Sequence, residues 1–353
     1  MLEKFSRWIS GQAPEASNKT ATLKLVEPAP KAPAEEPSSA TWTVVQGEWN
    51  AGVNARSAGP ETCRTHLWDR LSAARDQAER APDRMFLGAL LQSLSNEDMA
   101  LPHFPDTAVQ LDRLLAHSDP DYKAIMRVVE SDPQLVGQIW AVGRSARFPS
   151  PPSSLDMAVS RVGLVEVWRL SVQAAVESIR VESGPYSKVA DQARVHGALV
   201  GDVTAALAKE RRGPQFIAGL LHDVGQLVVL AAASRTNPDP VLVDRIIREQ
   251  HANLGVLVAH AWRLEPAVAA AVAWHHDVSQ AEDAGREIAQ LVRIADIAVH
   301  GAIDQRMKRQ SHPELAIKQT MTRSMDPSRP MVLAARSIER LERDGIQVIP
   351  SQL

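Results

Sequence analysis

The segment GLLHDVGQLVVL, residues 219–230, sets His222 beside Asp223 inside an otherwise apolar run. A buried carboxylate costs several kcal/mol unless it is paired or bound to a cation. The pair therefore needs partners elsewhere in the chain, or water. Candidates occur at His196 in ARVHGALVGDV, His251 in EQHANLGVLVA, His275 and His276 in AVAWHHD, and Asp296 in LVRIADIAV. Each lies in or at the edge of an apolar helical run. A lone histidine of this kind is ordinarily a hydrogen-bonded core residue. Seven such groups on five successive helical segments point to a divalent cation, because imidazole nitrogen and carboxylate oxygen are ligands that Mn, Fe, Ni and Zn accept where no thiolate is present. Cys63 is the only cysteine, so neither an intramolecular disulfide nor a thiolate cage can form, and a reducing cytoplasm fits.

Spacing sorts the remaining polar residues. Neighbours on a helix point about 100° apart, so His222 and Asp223 flank a groove between helices rather than share one face. Gln226 shares the face of Asp223. Gly225 and Gly255 each remove a side chain and let another helix approach. His260 lies about 180° from His251 and reads as surface, whereas His300, four after Asp296, shares its face and is a candidate supporting group. His103, His117 and His312 sit near turns. Asp202 falls about 120° from His196 and is expected to face solvent.

These groups sit in a chain whose pattern is helical. A period of 3.6 residues predicts helices over 106–117, 120–130, 132–143, 155–180, 187–209, 214–232, 240–249, 251–262, 266–275 and 285–302. SDPD before YKAIMRVVE and SDPQ before LVGQIWAVG supply caps and early prolines. No run of alternating strand character competes, so the expected fold class is all-α, with a multi-helix domain over 98–305. Residues 61–97 read as a helical linker region in which Leu67, Leu71, Ala74 and Ala78 recur on one face. Residues 1–60, with EPAPKAPAEEPSSA, read as a disordered arm interrupted by the apolar island TWTVVQGEW. The tail, 306–353, carries one amphipathic helix over 330–345, expected to pack or to meet a partner.

Composition excludes several function classes. Hydrophobic residues make up 44% and charged residues 23%, enough to bury a core. The net charge of -3 gives no general attraction to phosphate backbones, and the basic runs KERR (209–212) and RMKR (306–309) read as solvated helix ends, so no nucleic-acid partner is expected. The first residues lack the apolar core of a secretory signal, and no run reads as reaching the roughly 18 residues that cross a bilayer. LEKFSRWI could at most form a short amphipathic turn; stable membrane insertion is not expected, and a cytoplasmic location is.

The order His196, His222–Asp223, His251 with Gly255, His275–His276, Asp296 resembles the HD superfamily of metal-dependent phosphohydrolases. The block as a whole resembles an HDOD domain, the HD-related output domain of bacterial signalling proteins. LPHFPDTAVQLDRLL, IMRVVESDPQLVGQIWAVGRSARF, SSLDMAVSRVGLVEVWRL, FIAGLLHDVGQLVVL and HANLGVLVAHAWRLEPAVAAAVAWHHD follow that family's segments in order over residues 98–300. By position, the resemblance implies one metal site from His196, His222, Asp223 and Asp296 and a second served by His251, His275 and His276, with Asp223 able to bridge. The ion would be Mn, Fe, Ni, Zn or Mg. Two departures separate the chain from relatives that cleave cyclic dinucleotides. HDVGQ places Gln226 where those relatives have lysine, and no Gly-Tyr-Pro element follows the double histidine.

The resulting expectation is a bacterial regulatory output protein that acts through a signalling-protein partner and holds a metal without hydrolytic use; no catalytic residue is assigned. The alternative is a metal-dependent phosphohydrolase acting on a nucleotide or another phosphoester. A third reading has the polar cluster bonded to itself and water. No receiver, GGDEF-like or DNA-reading segment is visible, so an input would arrive through a separate molecule. A homodimer fits a chain with one domain type, though the sequence marks no interface.

Overall fold

The structure is a computed structural model that describes residues 59–348, apart from 97, 98, 100, 146, 209–212, 310, 321–325, 344 and 345 and the side chains of 283 and 284. The expected arm, except for its last two residues, the TWTVVQGEW and LEKFSRWI segments and KERR lie outside the described residues. Among the described residues every regular element is helical, as the sequence pattern predicts.

Helices α1 (Pro60–Gln77) and α2 (Ala81–Leu94) form a hairpin. Cys63, Leu67 and Leu71, one turn apart, are buried on α1, and Phe86, Leu87, Leu90 and Leu94 are buried on α2. The segment read as a linker is thus part of the core. Next come α3 (Asp106–Leu115), α4 (Tyr122–Glu130), α5 (Pro133–Gly143), α6 (Leu155–Val162) and α7 (Leu164–Ser178). The two expected starts are capped: Asp121 accepts from the amides of Lys123 and Ala124, and Asp132 from those of Gln134 and Leu135. The single helix expected over 155–180 is two, because Gly163 adopts φ +89°, a left-handed conformation that breaks the run.

The remaining helices build the bundle that holds the polar cluster: α8 (Pro185–Leu207), α9 (Gly213–Leu221), α10 (Val224–Thr236), α11 (Pro240–Ala261), α12 (Pro266–Trp274) and α13 (Asp283–Arg306). Helix α8 packs on α9, α10 and α13; α10 packs on α11, and α12 on α11 and α13. The hairpin closes over this bundle, α1 on α11 and α2 on α10. The expected helices 240–249 and 251–262 are one, since the polar Gln250 is buried and accepts from Asn253 Nδ2 at 2.9 Å rather than ending the helix. The expected helix 214–232 is two, separated at His222–Asp223.

Gly213–Thr236 is long and apolar enough to cross a membrane, contrary to the expectation that no run approaches that length. Most of it is buried inside the bundle, and the break at the His–Asp pair interrupts it. Core burial accounts for its composition.

Helices α14 (Pro313–Thr320) and α15 (Ser328–Arg343) pack on α13, and α15 also on α8. Asp202, expected at the surface, is instead 8% exposed. It accepts from Arg169 Nη1 at 2.9 Å and pairs with Arg340, so one carboxylate ties α7, α8 and α15 together. At the end of α13, Arg306 of the RMKR run pairs with Glu342 of α15.

Candidate metal centre

The seven groups singled out in the sequence meet in one place. His196 comes from α8, His222 and Asp223 from the α9–α10 junction, His251 from α11, His275 and His276 from the end of α12, and Asp296 from α13. They form two adjoining sets whose donor atoms lie within 4.8 Å of one another: Asp223, His251, His275 and His276, and His196, His222 and Asp296. Asp223 spans both sets. Its Oδ1 lies 3.4 Å from His251 Nε2 and 3.5 Å from His275 Nε2, while its Oδ2 lies 3.3 Å from His222 Nε2. Asp296 Oδ1 lies 2.8 Å from His196 Nε2 and 3.7 Å from His222 Nε2.

The local fold explains this reach. Asp223 is not helical (φ -106°, ψ 14°), so the pair escapes the 100° separation that a continuous helix would impose. Gly225 lies against the backbone of α11, where a β-carbon would fall 2.0 Å from the His251 carbonyl oxygen. Only glycine lets α10 approach closely enough to bring Asp223 beside His251.

Three of the imidazoles are fixed in orientation. The Nδ1–H groups of His222, His251 and His275 donate to the carbonyls of Gly219, Ile247 and Val272, each at 2.8 Å. Their Nε2 atoms therefore all face the cluster. His222 Nε2 is buried, and its nearest acceptors are the Asp223 and Asp296 carboxylates. His251 Nε2 faces His275 Nε2 at 3.4 Å and His276 Nε2 at 3.0 Å. Imidazole nitrogens and carboxylate oxygens converging on one buried place suit a cation, which makes the donor set fit a divalent ion of the type that accepts nitrogen and oxygen.

Electrostatics favour the same occupant. Burial works against charge on both carboxyls, but His222 outweighs it at Asp223, and His300 and His196 outweigh it at Asp296, holding both well below the usual carboxylate range. Burial also works against the charged form of His222, yet Asp223 and Asp296 prevail and raise its pKa, so a metal entering there must displace a proton. Burial, aided by neighbouring imidazoles, depresses His276 and takes His251 down to about 4.

A pH dependence follows. Histidine in an unfolded chain titrates near 6.5. A depressed native value contributes stability that is full above that pH and lost as the pH falls toward 4. For the metal-free protein, His251 alone is expected to remove about 3 kcal/mol over that window. Urea denaturation in chelator at several pH values should show this slope, and His251→Gln should flatten it.

His300 also joins the site: its Nε2 is 3.4 Å from Asp296 Oδ1 and its ring is 4.4 Å from that of His196, although it is 58% exposed. His103, His117, His260 and His312 are exposed. Sequence reasoning missed Arg293, whose Nη1 donates to the carbonyls of His276 (2.5 Å) and His275 (3.4 Å). It satisfies acceptors left at the end of α12 and ties the histidine pair to α13. Its only sequence signal is its place three residues before Asp296. Arg293→Met is expected to weaken metal binding by about 10-fold or more, read by competitive metal titration, with Arg293→Lys recovering part of the loss.

The HDOD domain profile matches residues 101–278. The chain belongs to the HDOD family. Asp296 lies beyond the matched segment and reaches the HDOD site through the packing of α13 on α12 and α8. An HDOD domain protein of unknown function from Geobacter sulfurreducens is 18% identical and superposes with a TM-score of 0.50 over 69% of this chain and 91% of that one. A Shewanella amazonensis protein called "Putative phosphohydrolase" is 19% identical, with a TM-score of 0.51 over 74% and 98% of the two chains. A Marinobacter aquaeolei protein called "Putative signal transduction protein" is 17% identical, with a TM-score of 0.51 over 80% and 64%. At these identities the likeness is one of fold. An uncharacterized protein of Treponema pallidum is 23% identical over 226 residues, 60% of this chain and 44% of that relative, so this HDOD chain spans less than half of the relative's length.

Proposed function

We propose that this HDOD protein is a regulatory output module that acts by binding a signalling protein and whose HD site holds a divalent metal ion. His196, His222 and Asp296 would hold one ion, and His251, His275, His276 and Asp223 another, with Asp223 shared. The observation that carries the metal reading is the set of Nε2 atoms turned inward by the Nδ1 hydrogen bonds of His222, His251 and His275. A regulatory use is supported by the four-donor set, which resembles the closed coordination of structural sites. It is also supported by Gln226, which brings no charge toward a phosphate.

One observation favours the alternative of a phosphohydrolase: the set of His196, His222 and Asp296 has only three donors of its own, Asp223 having to serve both ions, which brings it nearer to the open coordination of catalytic sites. A bound divalent ion lowers the pKa of its water and stabilises charge on phosphoryl oxygens. In that reading the chain's own residues hold and orient the ions, and His300, exposed beside Asp296, faces the incoming phosphoester. A phosphoester panel assayed with added Mn separates the two. The regulatory reading predicts no turnover above that of an Asp223→Ala control; turnover that this substitution abolishes establishes the hydrolase.

A further inference from the structure

Helix α13 is unbroken through residues 296–300, so Asp296 and His300, four apart, share one of its faces. His300 reaches across to α8, where its ring lies 4.4 Å from that of His196 and is tilted by 38° to it. Three imidazole nitrogens thereby surround a single carboxylate oxygen. From Asp296 Oδ1, His196 Nε2 stands at 2.8 Å, His300 Nε2 at 3.4 Å and His222 Nε2 at 3.7 Å. A carboxylate oxygen has two lone pairs, and only the first of these distances is that of an ordinary hydrogen bond. Hydrogen bonding to Asp296 therefore does not account for all three nitrogens.

Separations of this order are those between neighbouring ligands of one ion. Atoms bonded to a tetrahedral Zn stand roughly 3.4 Å apart, and His300 Nε2 already sits at that separation from Asp296 Oδ1. The two donor sets are otherwise unequal, four groups in one and three in the other. The additional imidazole lies beside the set of three. At 58% exposed it is on the solvent side of the cluster, where it can turn onto an ion without disturbing the core.

We propose that His300 is a further ligand of the ion held by His196, His222 and Asp296, giving that set four donors of its own. The inference rests on the metal reading of the site and goes beyond the supporting role that spacing alone gives His300. Three imidazoles with one carboxylate make a nitrogen-rich set, which suits Zn, Fe or Ni better than Mg or Mn. A fourth donor also closes the coordination that the phosphohydrolase alternative needs open.

The test is a Zn titration of the 353-residue chain carrying isotope-labelled histidine, with the ring nitrogens followed by long-range proton–nitrogen NMR. The Nε2 signals of His196, His222 and His300 are expected to move together to metal-bound positions, and the signal missing from His300→Gln identifies His300. Competitive Zn titration of two variants then separates a ligand from a group that only supports Asp296. Glutamine keeps an N–H for that carboxylate but brings no ring nitrogen, whereas aspartate brings a donor oxygen but no N–H. A ligand predicts that His300→Gln weakens one ion by more than about 10-fold and leaves the other unchanged. His300→Asp should recover part of that loss and shift the preference toward Mn. A His300 ring whose nitrogen signals stay in place while those of His196 move, or a His300→Gln chain that binds both ions as the native one does, overturns the proposal and leaves the metal reading standing. A native chain in which Zn moves no histidine signal overturns both.

Discussion

A Gly225→Ala protein is expected to lose more than about 3 kcal/mol of stability, and its metal centre with it. The new methyl would stand 2.0 Å from the His251 carbonyl oxygen and 2.9 Å from the Gly255 amide nitrogen. Both are backbone atoms of α11, which cannot rotate away as a side-chain tip does. Relief requires α10 and α11 to separate, and that contact carries Asp223 to His251. A loss of this size is a large share of the roughly 5–15 kcal/mol by which domains are stable. It corresponds to a melting temperature lower by about 10 °C, measurable by calorimetry with and without chelator. A variant that melts within a degree or two of the native protein would contradict the helix contact described above.

The second large effect concerns Asp223. Its two oxygens serve different histidine sets, so Asp223→Ala is expected to lower metal affinity at both by more than about a hundredfold. His222 would lose the partner that most strongly supports its protonated form. The metal-free fold should survive, because the side chain lies at a helix junction rather than within a packed helix face. The native protein should gain about 2.7 kcal/mol of stability when the free ion is at a hundred times its Kd. Asp223→Ala should gain almost none at the same concentration. Thermal melts across a Mn titration measure both quantities, and an unchanged gain in the variant would remove Asp223 from the ligand set.

Much of this site was legible before any coordinates. Apolar spacing gave the helices, and donors lodged in apolar runs had to find one another or a cation. Where the reading failed, a contact distant in sequence or a backbone detail was responsible. Gly163 ends a helix because of a positive φ that spacing does not encode. His222 and Asp223 leave the helix altogether, a step invisible in an unbroken apolar pattern. Asp202 looked solvent-facing by its angle from His196, but its arginine partners lie on α7 and, 138 positions along the chain, on α15. Arg293 works through backbone carbonyls of another helix, and acceptors that every residue carries leave no mark in a sequence.

The convergence of these nitrogen and oxygen donors is a geometric fact of the fold; that they hold a metal is the claim on which the functional reading stands. Elemental analysis of the 353-residue chain, reconstituted with Mn, Fe or Zn and desalted, tests it most directly. Retention of roughly one to two equivalents of a divalent ion per chain, absent from Asp223→Ala, is the predicted result. A native protein that retains no divalent ion under any of these conditions would contradict the account and leave the cluster as a hydrogen-bonded core.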